Sequence, residues 1–178
     1  DLIADVTTWC VYNDGVPSSL RRWTDSQPMG IEVQQTVFAW GENVIDPIDN
    51  MIFVRYRLIN TGTVSNKFDD VYFSCYSDPD LGDFNDDLVG SDTSLNLGYL
   101  YNQGSDEIFG ENPPTLGIPF LQGPAAYIPG ETFIDNNGNQ IYDDGIDTPL
   151  DSAYMNNGPI TGVNILPGAK NQGLSSFV

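Results

Sequence analysis

The chain has 178 residues, with six Lys and Arg against 25 Asp and Glu, no histidine, and a formal charge of −19. Its length suits one domain with a sizeable core, and 40% apolar residues with 12% aromatics are too many for a disordered acidic tail. The charge excludes the cationic footprint that nucleic acid requires and opposes anionic membranes, while the missing imidazole removes Ser-His-Asp and Cys-His catalysis and His-ligated zinc or copper.

In chain order, the first strand signal is Leu2–Tyr12, which is predicted either to pair within its own sheet or to be exchanged into a neighbouring subunit's sheet edge. Ile31–Trp40 alternates, with Ile31, Val33, Gln35, Val37 and Ala39 on one side. Met51–Ile59 is the clearest strand: Arg55 and Arg57 share one face and Ile52, Val54, Tyr56 and Leu58 fill the other, before a turn at Asn60-Thr61-Gly62. Asp70–Tyr76 and Leu95–Tyr101 are rich in aromatic, aliphatic and β-branched residues, and shorter candidates lie at Gly117–Phe120, Ala125–Ile128 and Thr161–Leu166. Good helix formers are scarce, and Gly, Pro or Asn interrupts nearly every segment. The expected fold is all-β, an antiparallel two-sheet sandwich of immunoglobulin-like or jelly-roll-like kind in one domain over 1–178. Residues 1–12 form its exchangeable segment, and 104–170 form an extension dense in Pro and Gly.

Two acidic loops interrupt these strands. The first, Asp78–Asp87, carries candidate ligands Asp78, Asp80, Asp83, Asn85 and Asp87. Short Asp and Asn side chains alternating around Gly82 let several oxygens converge, which suits the six to eight oxygen ligands of Ca²⁺. In the second, with Asp135 as position 1, oxygens at positions 3, 5 and 9 come from Asn137, Asn139 and Asp143, and position 7 offers the Ile141 carbonyl, as in an EF-hand-type loop. Position 6 is Gln140 instead of Gly and position 12 is Ile146 instead of Glu, so Asp144 or Asp147 has to complete the shell. From Phe68 to Ala169 there is no Lys or Arg, and 17 acids lie in that stretch. Carboxylates about 5 Å apart repel by roughly 0.5–1 kcal/mol per pair even at high effective dielectric, and a cation relieves this. Calcium is the expected cofactor, since zinc and iron prefer nitrogen or sulfur donors. The competing reading is that Asp and Asn make solvated turns.

Phe53–Gly62, Tyr76–Gly90 and Phe133–Asp144 resemble modules of large secreted bacterial surface proteins. The resemblance implies a β scaffold with calcium-type loops and a surface location, and it implies no catalytic residue. Cys10 and Cys75 form either one disulfide or two buried apolar thiols. The absence of Met at Asp1 and the apolar end at Phe177-Val178 suggest a processed portion of a longer, exported polypeptide.

The functional expectation is a non-enzymatic, calcium-stabilised extracellular structural protein. It would be a subunit of a surface assembly or filament, with itself or neighbouring surface proteins as partner. The alternative is a carbohydrate-binding module using some of Trp9, Trp23, Trp40, Tyr99, Tyr101, Tyr127 and Tyr154, residues that otherwise pack in a core. Carboxylate-pair catalysis is set aside, because the acids cluster at ligand-like spacing. Neither nucleic acid nor membrane insertion is expected, and no run of 18 apolar residues exists.

Overall fold

A computed structural model of the chain describes residues 2–22, 25–41, 47–128, 131–150 and 170–176. The chain groups into two compact units, the first within Asp1–Phe73 and the second from Ser74 onward. Antiparallel sheets dominate both, and among the described residues the only helical pieces are single 3-10 turns at Ser18–Leu20 and Ile48–Asn50.

The first unit is a three-stranded meander of β1 (Val6–Asn13), β2 (Ile31–Ala39) and β3 (Ile52–Asn60) in the order β1-β2-β3. The amino-terminal strand therefore pairs with its own β2, from Val6 opposite Ala39 to Asn13 opposite Glu32. Asp14 sets the return of the chain: its carboxylate accepts the amides of Met29, Gly30 and Ile31, which delivers β2 alongside β1. Arg21 braces the same turn by donating to the Asp14 carbonyl.

Residues directly opposed in an antiparallel ladder share a face. On one face Phe38 stacks on its cross-strand partner Phe53 at 5.3 Å between centroids, and Trp40 meets both edge-on. Arg55 and Arg57 lie on this face and are half-buried, and Thr36 beneath them is buried. The opposite face holds Ile52, Val54, Tyr56 and Leu58, as the alternation predicts, but all four are exposed. The aromatic packet lies on the face that bears the arginines, where Trp9 and Val11 are nonetheless exposed.

The second unit is built on β4 (Asp87–Asp92), β5 (Leu97–Asn102) and β6 (Leu116–Pro119), again in sequential order. Leu81 and Leu100 are its buried apolar side chains among the described residues. Gly90 stands opposite Tyr99, and a Cβ there would run into the Tyr99 ring, so the missing side chain makes room for the aromatic. Two minimal ladders complete the unit: β7 (Ala125–Ala126) with β10 (Lys170–Asn171), and β8 (Phe133–Ile134) with β9 (Thr148–Pro149).

Two sequence expectations change. Asp70–Tyr76, predicted as a strand, forms no ladder; Asp70 has φ 53°, outside extended geometry, and Tyr72 and Tyr76 are more than four-fifths exposed. Strand propensity without a partner leaves backbone groups unsatisfied and is overridden. Conversely Asp87–Asp92, expected to begin in loop, is strand β4. Cys10 and Cys75 are both free and exposed, neither bonded nor buried. Thr161–Leu166, Trp23 and Tyr154 lie outside the described residues.

Candidate metal centre

The second acidic loop is the turn of the β8–β9 hairpin. Thr132 ties the stems together, its hydroxyl donating to the carbonyls of Ile128 and Leu150 at 3.1 Å. Phe133 packs edge-on against Tyr142 at 5.5 Å, which folds the middle of the loop back on the hairpin. Asp147, 6% exposed, closes the base: one oxygen accepts the Asn136 amide at 2.9 Å and the other the Asp143 amide at 2.7 Å.

Above that base, the Asp135 carboxylate accepts the amides of Gly138, Asn139 and Gln140, at 2.7, 3.3 and 2.8 Å. These bonds hold its pKa below the ordinary carboxylate range, the Gln140 amide contributing most. The side-chain amides of Asn137 and Asn139 both donate to one oxygen of Asp143, each at 2.7 Å. Positions 1, 3, 5 and 9 of the loop thus form one linked set. Gln140 at position 6 adopts φ 64°, the left-handed curvature that glycine normally supplies in such loops.

One carboxylate, Asp143, and two amide side chains meet, whereas both Asp135 oxygens face backbone amides. Turning each Asn amide about its last bond would bring oxygen where nitrogen now faces Asp143, at the loss of the Asn137–Asn139 and Asn139–Ile141 backbone contacts, and oxygens of this kind are the donors a hard divalent cation takes. Asp147, an expected ligand, is turned to backbone amides through both oxygens. Ile141 is exposed and donates its amide to Asn139, and Asp144 is exposed beside the Tyr142 hydroxyl.

In the first loop the candidates serve separate partners. Asp78 accepts the Tyr76 hydroxyl, Asp83 accepts the backbone and side chain of Asn85, and Asp87 accepts the Leu81 amide at 3.0 Å. Asp80 is exposed. Among the described residues, no three His, Cys, Asp or Glu side chains are grouped to hold an ion. The organising residue is one the sequence reading passed over, Asp106, which is buried and accepts the amides of Asp83, Ile108 and Phe109. Those bonds, the Asp83 amide first, lower its pKa. Gly82, at φ 80°, lies so close that a Cβ would strike the Asp106 carboxylate. The available signal was Asp106-Glu-Ile-Phe-Gly110, an Asp four residues before a Gly, bridged here by reciprocal backbone bonds. Asn102, also passed over, donates to Asp86 and Asp87.

No protein-family model, curated protein or solved structure matches the chain. Among the described residues no helix is long and apolar enough to cross a membrane.

Proposed function

We propose that the chain is a non-enzymatic structural module of the extracellular surface, stabilised by calcium in the β8–β9 hairpin. It serves as a subunit of a surface assembly or filament. The observation that carries this reading is the linked set Asp135, Asn137, Asn139 and Asp143 in a loop whose sixth position has left-handed curvature. Further support comes from the charge: 25 acids against six bases repel at close range, and divalent ions offset this.

The test is thermal melting with Ca²⁺, with Mg²⁺ and with EDTA. At a hundredfold excess over its dissociation constant, an ion bound only by the folded chain contributes about 2.7 kcal/mol. For a unit of some 100 residues this is a rise of roughly 10–20 °C, reversed by chelation. Superimposable curves with and without EDTA overturn the reading.

A second reading, carbohydrate binding, is favoured by one observation: Trp9 is 51% exposed on the sheet face that carries Arg55 and Arg57. An exposed ring beside polar groups suits stacking on a sugar. Silence across a glycan array, with Trp9→Ala leaving every signal unchanged, removes it.

A further inference from the structure

The face of the β1-β2-β3 sheet opposite Arg55 and Arg57 leaves large apolar side chains open to solvent. Six of its side chains, Val6, Tyr12, Ile52, Val54, Tyr56 and Leu58, are between 39% and 74% exposed. The register places Val33, Val37 and Ala39 of β2 among them, in the middle of the sheet. No strand position on this face is charged, while Glu32, Arg55 and Arg57 all fall on the opposite face.

We propose that this face is the contact between two copies of the chain, packed sheet on sheet about a two-fold axis. The structure then contains half of a sandwich, and the second layer is the same sheet of another molecule. This builds on the reading of the chain as an assembly subunit and names the surface that joins the copies.

Two observations single out a second copy. A chain of charge −19 repels its own copies wherever charged surfaces meet, and this face carries no charge. A partner recognised through charge finds no complement here, whereas the face is complementary to itself in polarity, as a two-fold interface requires. Aligned sheets pack about 10 Å apart with interleaved side chains, and alternation of small Ala39 with larger Ile52 and Tyr56 suits that geometry.

Cys10 provides a built-in probe, because it lies on this face opposite Gln35, whereas Cys75 lies off it; both are free and exposed. The experiment is sedimentation of the full chain under reducing conditions, with thiol labelling across protein concentration. Expected is a reversible dimer whose Cys10 is labelled at least tenfold more slowly at high concentration, with Cys75 labelled equally throughout. Salt strengthens the dimer by screening net repulsion. Val54→Asp gives a folded monomer by circular dichroism; should it fail to fold, Ile52→Lys at the most exposed position is the second variant. A monomer at all concentrations, or equal concentration dependence at both cysteines, overturns the proposal. The dimer persists in EDTA because the face has no carboxylate, so loss of the calcium effect with a retained dimer rejects the ion site alone. A calcium effect on a strict monomer rejects this interface alone.

Discussion

Asp143 and Asp147 stand four residues apart in one loop and are predicted to respond oppositely to substitution. Asp147 holds two backbone amides, so Asp147→Ala strips two charge-assisted hydrogen bonds and leaves the donors of Asn136 and Asp143 without their partners. Each such bond is worth about 1.5–3 kcal/mol when its loss leaves a donor unsatisfied, and water reaching the exposed Asn136 side recovers part. The expected loss is about 2–4 kcal/mol, roughly 10–20 °C in melting temperature if the hairpin unfolds with its unit. Asp147→Asn keeps one acceptor and loses about half. Neither change removes an oxygen from the set formed by Asp135, Asn137, Asn139 and Asp143, so calcium affinity measured by titration calorimetry on folded protein changes little. Asp143→Asn does the reverse, weakening calcium binding at least tenfold with a small cost in calcium-free stability. Hydrogen exchange on 131–150 reads the mechanism directly, since the Asn136 and Asp143 amides lose protection in Asp147→Ala. Unchanged protection there, or a calcium affinity that falls with Asp147 and not with Asp143, refutes the assignment of roles.

Gln140 carries the cost of a left-handed backbone with a Cβ, so Gln140→Gly is expected to stabilise the hairpin by about 0.5–1 kcal/mol after the added freedom of the unfolded chain; a lower urea midpoint contradicts this. Gly82→Ala meets both φ 80° and the Asp106 carboxylate, and is expected to cost more than about 2 kcal/mol by chemical denaturation, an unchanged midpoint being the contrary result. Acid should unfold the second unit late. Asp135 and Asp106 are depressed by the amides of Gln140 and Asp83 first, and Asp92 by the Ser94 hydroxyl and amide. A depressed carboxylate stabilises fully above its unfolded pKa of about 3.9 and loses this as pH falls through its folded value. Circular dichroism should therefore stay flat from pH 8 to 5 and decline below about pH 4; a midpoint above pH 5 is incompatible with these bonds.

The all-β character was legible because Ile31–Trp40 and Met51–Ile59 carry a period-two pattern and Gly, Pro and Asn interrupt nearly every segment that might be helical. Which face would be covered was not legible, because alternation assigns residues to faces without saying what lies over them. Arg55 and Arg57 are half-buried on the face where Phe38, Trp40 and Phe53 pack, which alternation alone does not tell. In the acidic loops, spacing groups Asp135, Asn137, Asn139 and Asp143, but residue type does not separate an oxygen facing an ion from one facing an amide, and Asp87, Asp106, Asp135 and Asp147 all accept backbone amides. Asp70–Tyr76 shows the same limit for strands, since propensity is local and a ladder needs a partner.

The division near Phe73 has a spectroscopic consequence. All three tryptophans precede it, and Trp40 sits in ring contact with Phe38 and Phe53. Indole emission thus originates in the first unit, while both acidic loops belong to the unit without indole. Chelation that altered far-ultraviolet ellipticity and left the emission maximum untouched would mark two independently melting halves. A shift in both together would mean that the halves share one cooperative transition.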